Sequence, residues 1–127
     1  MENLIIEATQ YTPKIDFNAK SQSLSIVGKS YPENTFEYYE PVIVWITEFL
    51  SNVSDDIITL YLDLEYLNSS SLKAYFDIFD LLEAAHNEGK KVQIEWVFDA
   101  DNDICEETGE DFMEDFKSLD IKLVVKG

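Results

Sequence analysis

Apolar residues recur along this chain with two spacings, one typical of strands and one typical of helices. Alternation at every second position, or a short continuous apolar run, predicts a strand, and recurrence every three to four positions predicts a helix. Residues such as Asn, Gly and Pro mark the turns between segments. The pattern predicts strands over residues 4–8, 14–18, 23–27, 57–64, 92–98 and 120–126 and helices over residues 35–50, 69–88 and 106–118.

Two of these segments carry further information. The nearly continuous apolar run over 57–64 is typical of a central strand that is covered on both faces. The helix over 35–50 contains Pro41, which removes a backbone donor and clashes with the preceding helical turn. This helix therefore either kinks at Pro41 or begins its regular part near Glu40, with Pro41 in the first turn.

The order of the segments indicates an α/β fold. Strands that alternate with helices imply parallel pairs joined by right-handed crossovers. The short strands over 14–18 and 23–27 are predicted to form a hairpin, which implies an antiparallel N-terminal edge. We expect a sheet of about five strands packed by about three helices. With 127 residues, the chain is long enough to bury a core as one domain over residues 1–127.

The charge of the chain excludes some classes of partner. The net charge is −17, from 9 basic and 26 acidic residues, so no basic surface is available for nucleic acid or an anionic membrane. Cys105 is the only cysteine, which fits a reducing compartment. The N-terminal apolar run is too short for a signal peptide, and no run is long enough to span a membrane. We expect a cytoplasmic protein without a cofactor.

The junction between the apolar strand and the second long helix concentrates the candidate chemistry. Asn68, Ser69, Ser70 and Ser71 follow the strand and open the helix. Asn and Ser are preferred at helix starts because their side-chain oxygens accept first-turn N–H groups, and the same place is favourable for a phosphate. A serine nucleophile would need a base, but the single histidine, His86, lies roughly 25 Å further along the same predicted helix. Composition alone therefore favours capping over phosphorylation and argues against a hydrolase.

An acidic segment offers a weaker alternative. Acids alternate from Asp99 to Asp103, and Glu110 is twelfth from Asp99, which is part of a calcium-loop pattern. The sixth position is Ile104 instead of the required Gly, and a strand precedes the segment where that motif has a helix. A solvated acidic loop is favoured over a metal site. Cys105 is flanked by Glu106, which argues against a reactive thiol.

Two blocks of the sequence resemble the SiaC family of bacterial regulatory phosphoproteins. The first block runs from Tyr66 to Ala74 (YLNSSSLKA) and continues from Asp77 to His86 (DIFDLLEAAH). The second is Ser30 to Asn34 (SYPEN), just before the first long helix. The strand-to-helix junction is also distantly similar to that of anti-sigma factor antagonists, the STAS domains.

The resemblance implies a partner-switching protein that is not an enzyme. A kinase would phosphorylate Ser69, where the best-known members have Thr, and a metal-dependent phosphatase would remove the phosphate. The unphosphorylated form would bind and activate a diguanylate cyclase, which promotes cyclic-di-GMP synthesis and biofilm formation. Asn68 would shape the turn, and the amides of Ser70, Ser71 and Leu72 would receive the phosphate. The partner surface would be bordered by Ser70, Ser71, Lys73, Tyr31, Glu33 and Asn34.

Two other functions remain open at this point. The same phospho-switch could act on a sigma-factor regulator, as in anti-sigma factor antagonists. A small enzyme or calcium-binding protein could instead use the segment from Asp99 to Glu110. Tyr31, Tyr38 and Tyr66 are aromatic residues that could face a partner in any of these cases.

Overall fold

The computed structural model describes residues 1–126 and contains six strands and three helices within them. The chain begins with three strands and then alternates helix and strand. In chain order the elements are β1 (Leu4–Ile6), β2 (Lys14–Asn18), β3 (Ser23–Ser30), α1 (Thr35–Leu50), β4 (Ile58–Leu67), α2 (Ser69–Asn87), β5 (Val92–Asp99), α3 (Asp103–Asp115) and β6 (Asp120–Lys126).

All six strands form one sheet in which the spatial order is the chain order. The pairs β1–β2 and β2–β3 are antiparallel, and the pairs from β3 to β6 are parallel. This confirms the predicted α/β class with its antiparallel N-terminal edge. The sheet has six strands and not about five, since the three-residue β1 also pairs, with Leu4 opposite Phe17.

The helices lie on one face of the sheet. Each parallel connection moves one strand in the same direction, so right-handed crossovers carry all three helices over the same face. Burial along β4 alternates accordingly: Leu60 and Leu62 are buried, whereas Tyr61 and Asp63 are half-exposed. The prediction that this strand is covered on both faces was therefore wrong, because a run of apolar residues does not reveal on which side the connections cross.

An asparagine precedes each of the three helices and acts as its N-cap. The side-chain oxygens of Asn34, Asn68 and Asn102 accept the N–H of Glu37, Ser71 and Cys105, respectively, which satisfies one first-turn donor in each helix. Helix α1 runs through Pro41, so the alternative of a regular helix that begins near Glu40 is wrong.

The other differences concern where elements begin and end. Helix α3 begins at Asp103 and ends at Asp115, whereas residues 106–118 were predicted. Strand β3 extends to Ser30 past a register shift between Gly28 and Lys29. Gly28 has a φ of +134°, and a Cβ there would lie 3.2 Å from Pro13 Cα, so this irregular position requires glycine. Within residues 1–126, no helix combines the length and apolar content needed to cross a membrane.

Candidate functional site

The parallel pairing of β3 and β4 brings the two sequence blocks together. Ser30, the last residue of β3, pairs with Leu67, the last residue of β4, and the N–H of Asn68 donates to the Ser30 carbonyl over 3.0 Å. Beyond Ser30, the ring of Tyr31 meets that of Tyr66 edge-on at 5.7 Å between centroids. The start of α2 and the turn that leads into α1 therefore form one surface at the carboxyl edge of the sheet.

Asn68 holds the first turn of α2 with both of its oxygens. Its side-chain Oδ1 accepts the Ser71 N–H at 2.8 Å, and its carbonyl accepts the Leu72 N–H at 2.9 Å. Two of the three amides expected to receive a phosphate are thus already bonded, because the cap uses them. The Ser70 N–H has no intramolecular partner in residues 1–126 and stays available to an anion at this helix start.

The three consecutive serines have different environments. Ser69 is exposed, and its hydroxyl makes no hydrogen bond within the described residues. Ser70 is also exposed, and its Oγ lies 2.8 Å from Thr35 Oγ1 on α1. Ser71 is 0% exposed, and its Oγ lies 2.7 Å from Ser30 Oγ. The expectation that Ser71 borders a partner surface is therefore wrong in the folded protein, since its side chain points into the core.

Below Ser69, buried hydroxyls join β3 to both helices. Ser30 Oγ lies 2.6 Å from the Tyr39 hydroxyl, which donates to the Tyr75 hydroxyl over 3.0 Å. Burial raises the pKa of Tyr39 and raises that of Tyr75 further, so both phenols stay neutral at physiological pH. These neutral hydrogen bonds fix the beginning of α2 against α1 and β3.

The remaining predicted residues lie around this surface. Asn34 is bonded to the first turn of α1, and Lys73 is exposed one turn into α2. Glu33 is exposed and makes no side-chain contact by hydrogen bond or ion pair within residues 1–126. Tyr38 is half-buried and donates to the Pro13 carbonyl over 3.1 Å; burial raises its pKa to about 12. Tyr31 is half-buried and Tyr66 is exposed, and both lie at the carboxyl edge of the sheet.

Two residues of this surface were missed by the sequence analysis. Thr35 bonds Ser70 across the two helix starts, and its position directly after the cap Asn34 could have indicated that it is a surface residue. The ring of Tyr11 packs edge-on against Tyr31 at 5.3 Å between centroids. Nothing local signals this contact, because it depends on how the loop before β2 returns to the end of β3.

Comparison with known proteins assigns the chain to a family. Residues 6–126 match the sequence profile of the SiaC family of regulatory phosphoproteins. The chain belongs to this family. An uncharacterised protein of Pseudomonas aeruginosa strain UCBPP-PA14 is 44% identical over 115 residues, which cover 91% of this chain and 90% of the relative. The resemblance predicted from the two blocks is thereby confirmed, together with a regulatory role in place of an enzymatic one.

Solved SiaC structures have the same fold as this family member. SiaC of Pseudomonas aeruginosa superposes with a TM-score of 0.91 at 40% identity, covering 99% of this chain and 100% of the other. A crystal structure of the diguanylate cyclase SiaD in complex with its activator SiaC, also from Pseudomonas aeruginosa, matches with a TM-score of 0.91 at 41% identity, covering 97% and 99% of the two chains. Apo-SiaC from the same organism matches at 0.86 and 38% identity, with both chains fully covered.

The calcium-loop alternative does not fit the structure of this SiaC-family chain. Helix α3 begins at Asp103, so Glu110 lies within that helix and the twelve positions from Asp99 do not form a loop. In the described part of the chain, no group of three His, Cys, Asp or Glu side chains is arranged to hold a metal. Cys105 is buried, donates to the Leu64 carbonyl, and has a pKa raised chiefly by burial, which disfavours a nucleophilic thiolate.

Proposed function

We propose that this SiaC-family protein is a phosphorylation-controlled partner switch whose unphosphorylated form binds and activates a diguanylate cyclase. Support comes from the relative SiaC, which was crystallised as the activator of the diguanylate cyclase SiaD and has the same fold at 41% identity. On this proposal the protein promotes cyclic-di-GMP synthesis and is not itself a catalyst. The observation that carries the proposal is the exposed hydroxyl of Ser69 at the start of α2, which makes no hydrogen bond to another described residue.

Ser69 is the proposed phosphoacceptor. Of the three serines, it is the one that is exposed and whose hydroxyl makes no hydrogen bond within residues 1–126, so a kinase could reach it without breaking a contact. A phosphate would add about −1.5 to −2 charges beside the free N–H of Ser70 and the positive end of the helix dipole. The fold should therefore tolerate the modification, while a partner that docks over the helix start would meet new charge and bulk.

The proposal includes two enzymes that act on Ser69. A dedicated protein kinase adds the phosphate, and a metal-dependent phosphatase removes it. Since a kinase draws its phosphate from nucleoside triphosphate, the proposed compartment is the cytoplasm. Asn68, Ser70, Lys73, Tyr31, Glu33 and Asn34 are proposed to border the surface that the partner recognises, because they surround Ser69 or lie on the facing turn.

The test combines localisation of the phosphate with an activity assay. Protein from its native cell is examined by tandem mass spectrometry, and purified SiaD is assayed for cyclic-di-GMP synthesis with the bare protein, with the phosphorylated protein and with Ser69→Asp. We expect one phosphate on Ser69, activation by the bare protein and by Ser69→Ala, and at least tenfold weaker activation by the phosphorylated protein and by Ser69→Asp.

A matched control is Ser21→Ala, which removes an exposed serine hydroxyl in the turn between β2 and β3. This variant should activate as the unchanged protein does. A phosphate located elsewhere would refute Ser69 as acceptor. A bare protein that binds a sigma-factor regulator and leaves the cyclase unaffected would replace the cyclase with the anti-sigma type of target.

A further inference from the structure

The face of the sheet that points away from the helices is not covered by any described part of the chain. Strands β3, β4, β5 and β6 pair in parallel, and parallel strands are normally covered on both faces. Here α1, α2 and α3 lie on one face, so the other face is open. Val27 and Val124 on this open face are each 39% exposed. The open face therefore lacks the cover that parallel strands usually have.

The two faces of the protein differ in charge. The helices α1, α2 and α3 carry 13 acidic residues and one lysine, Lys73. The strands carry six acidic residues and four lysines, and these alternate with the buried core positions. A strongly basic partner would be attracted to the helical face. Two copies of this chain, each with a net charge of −17, repel each other least when their open faces meet.

One row of side chains across the open face is complementary to itself. The strand register aligns, from β2 to β6, Asp16, Ser25, Tyr61, Glu95 and Lys122. Asp16 and Lys122 are exposed, and neither makes an ion pair within residues 1–126. They lie two strands from Tyr61 on opposite sides, about 10 Å away in each direction. A two-fold axis that passes through Tyr61 parallel to β4 would therefore place Asp16 of each copy opposite Lys122 of the other.

The next row supplies apolar contacts for the same arrangement. The register places Val27 beside Asp63 and Asp63 beside Val97. Because Asp63 lies on the same strand as Tyr61, the same axis would place Val27 of one copy opposite Val97 of the other. The Asp63 carboxylate at the axis is already paired within its own chain, since Lys126 Nζ lies 2.9 Å from Asp63 Oδ1. The two copies of Asp63 thus add little repulsion.

We propose that the open face binds a second copy of this chain, in a two-fold dimer in which Tyr61 meets Tyr61 and Asp16 pairs with Lys122. Packed sheets cross at about 30°, and the lysine side chain is long enough to reach the carboxylate at this angle. Five strands span about 19 Å, and eight residues of a strand about 26 Å, which gives roughly 500 Å² per copy. The total of about 1,000 Å² is near the lower limit for a specific interface, so the dimer is weak and depends on concentration.

The dimer goes beyond the proposed function and does not depend on it. Ser69 begins α2, which lies on the helical face. Packing of two open faces therefore leaves Ser69 accessible in both copies.

The experiment measures self-association of the purified 127-residue chain by sedimentation equilibrium over a series of concentrations. We expect a monomer–dimer equilibrium. Tyr61→Lys brings two like charges together at the axis and should weaken the dimer at least about 30-fold. Val27→Lys buries an unpaired charge opposite Val97 and should weaken the dimer at least about tenfold. The matched control is Val44→Lys, which makes the same change at a valine of α1 that is 57% exposed, and it should stay within about threefold.

An exchange of charges tests the self-complementary row. Asp16→Lys and Lys122→Asp each replace two ion pairs with two contacts between like charges, and each should weaken the dimer about three- to tenfold. The double variant Asp16→Lys/Lys122→Asp keeps the net charge of −17 and should restore the affinity to within about twofold. Asp16→Lys also makes the whole chain less acidic, so an effect of overall repulsion alone would strengthen its dimer. Pairing and overall charge therefore predict opposite results for this variant.

The outcomes decide between the open face and other surfaces. A chain that stays monomeric at every concentration would overturn the proposed dimer and leave the proposed function untouched. A dimer that persists in Tyr61→Lys and Val27→Lys, or one that is lost in Val44→Lys, would show that the interface is not the open face. A double variant that associates no better than Asp16→Lys would refute the two-fold pairing. Circular dichroism checks that each variant is folded, and if the half-buried Tyr61 does not tolerate lysine, the exposed residues Asp16 and Lys122 still provide the test.

Discussion

Replacing Ser30 with alanine should destabilise the protein more than any other single serine substitution near the site. Ser30 is 0% exposed, and its Oγ bonds both Tyr39 and Ser71, at 2.6 and 2.7 Å. Each buried hydrogen bond contributes about 1 kcal/mol net, and a buried hydroxyl left without a partner costs about 1–3 kcal/mol. Tyr39 keeps its bond to Tyr75, whereas Ser71 loses its side-chain partner. We therefore expect Ser30→Ala to lower the free energy of unfolding by about 2–3 kcal/mol.

Urea unfolding followed by circular dichroism measures this loss. For a chain of this size, 1 kcal/mol corresponds to roughly 4 °C in Tm, so thermal unfolding should shift downward by roughly 8–12 °C. Ser69→Ala provides the matched control, because the Ser69 hydroxyl is exposed and makes no hydrogen bond within residues 1–126. Its free energy of unfolding should stay within about 0.5 kcal/mol of the unchanged protein.

A double substitution tests the physical reason. In Ser30→Ala/Ser71→Ala the unpartnered hydroxyl is gone, so the combined loss should be smaller than the sum of the two single losses by about 1 kcal/mol. Strictly additive losses, or a loss below about 0.5 kcal/mol for Ser30→Ala, would refute the view that these buried hydroxyls act as a connected network that fixes the start of α2.

Two further predictions concern packing and pH. Gly109→Ala should lower the free energy of unfolding by about 1–3 kcal/mol, measured by urea unfolding, because the new Cβ would lie 2.6 Å from Trp96 Cδ1 and 2.7 Å from Leu123 Cδ2. This loss should exceed the gain from the higher helix propensity of alanine. An unchanged free energy of unfolding would show that the Trp96 and Leu123 side chains can move aside. Burial raises the pKa of Tyr75 well above 10.0, so its contribution to stability is fully present below pH 10 and is lost as the pH rises further, when the unfolded chain ionises first. Above pH 10, the free energy of unfolding of Tyr75→Phe should therefore fall less steeply with pH than that of the unchanged protein, by up to about 1.4 kcal/mol per pH unit. Identical pH profiles of the two proteins would contradict the raised pKa of Tyr75.

Local signals in the sequence were sufficient to predict the types of the secondary-structure elements and the residue at which α2 begins. Asn68 and the serines after it have the side chains that helix caps use, and the alternation predicted along residues 92–96 is also present in the burial pattern of β5. These signals depend on residues within one or two turns of each other. For the same reason the element types were predicted correctly, while ends such as Ser30 and Asp103 were not.

The environment of each serine could not be predicted from the sequence. Ser69, Ser70 and Ser71 are chemically identical in the sequence, and their difference arises from residues 35 to 41 positions away, namely Thr35 on α1 and Ser30 on β3. Likewise, the open face of the sheet follows from the direction of three crossovers and not from the composition of β4. Tertiary contacts of this kind leave no periodic pattern for a reader of the sequence to detect.

The same contacts explain why a switch at Ser69 would be compatible with a stable fold. If Ser71 were modified, a dianion would have to enter a fully buried position and displace the bond to Ser30, which would open the junction between β3 and α2. Modification of Ser70 would break its bond to Thr35 and separate the two helix starts. At Ser69 a phosphate disturbs no hydrogen bond in the part of the chain that the structure describes, and it lies at a helix end that favours it. On our proposal, phosphorylation of Ser69 therefore weakens partner binding and leaves the free energy of unfolding nearly unchanged, because the added charge lies on the partner-binding surface and not in the core.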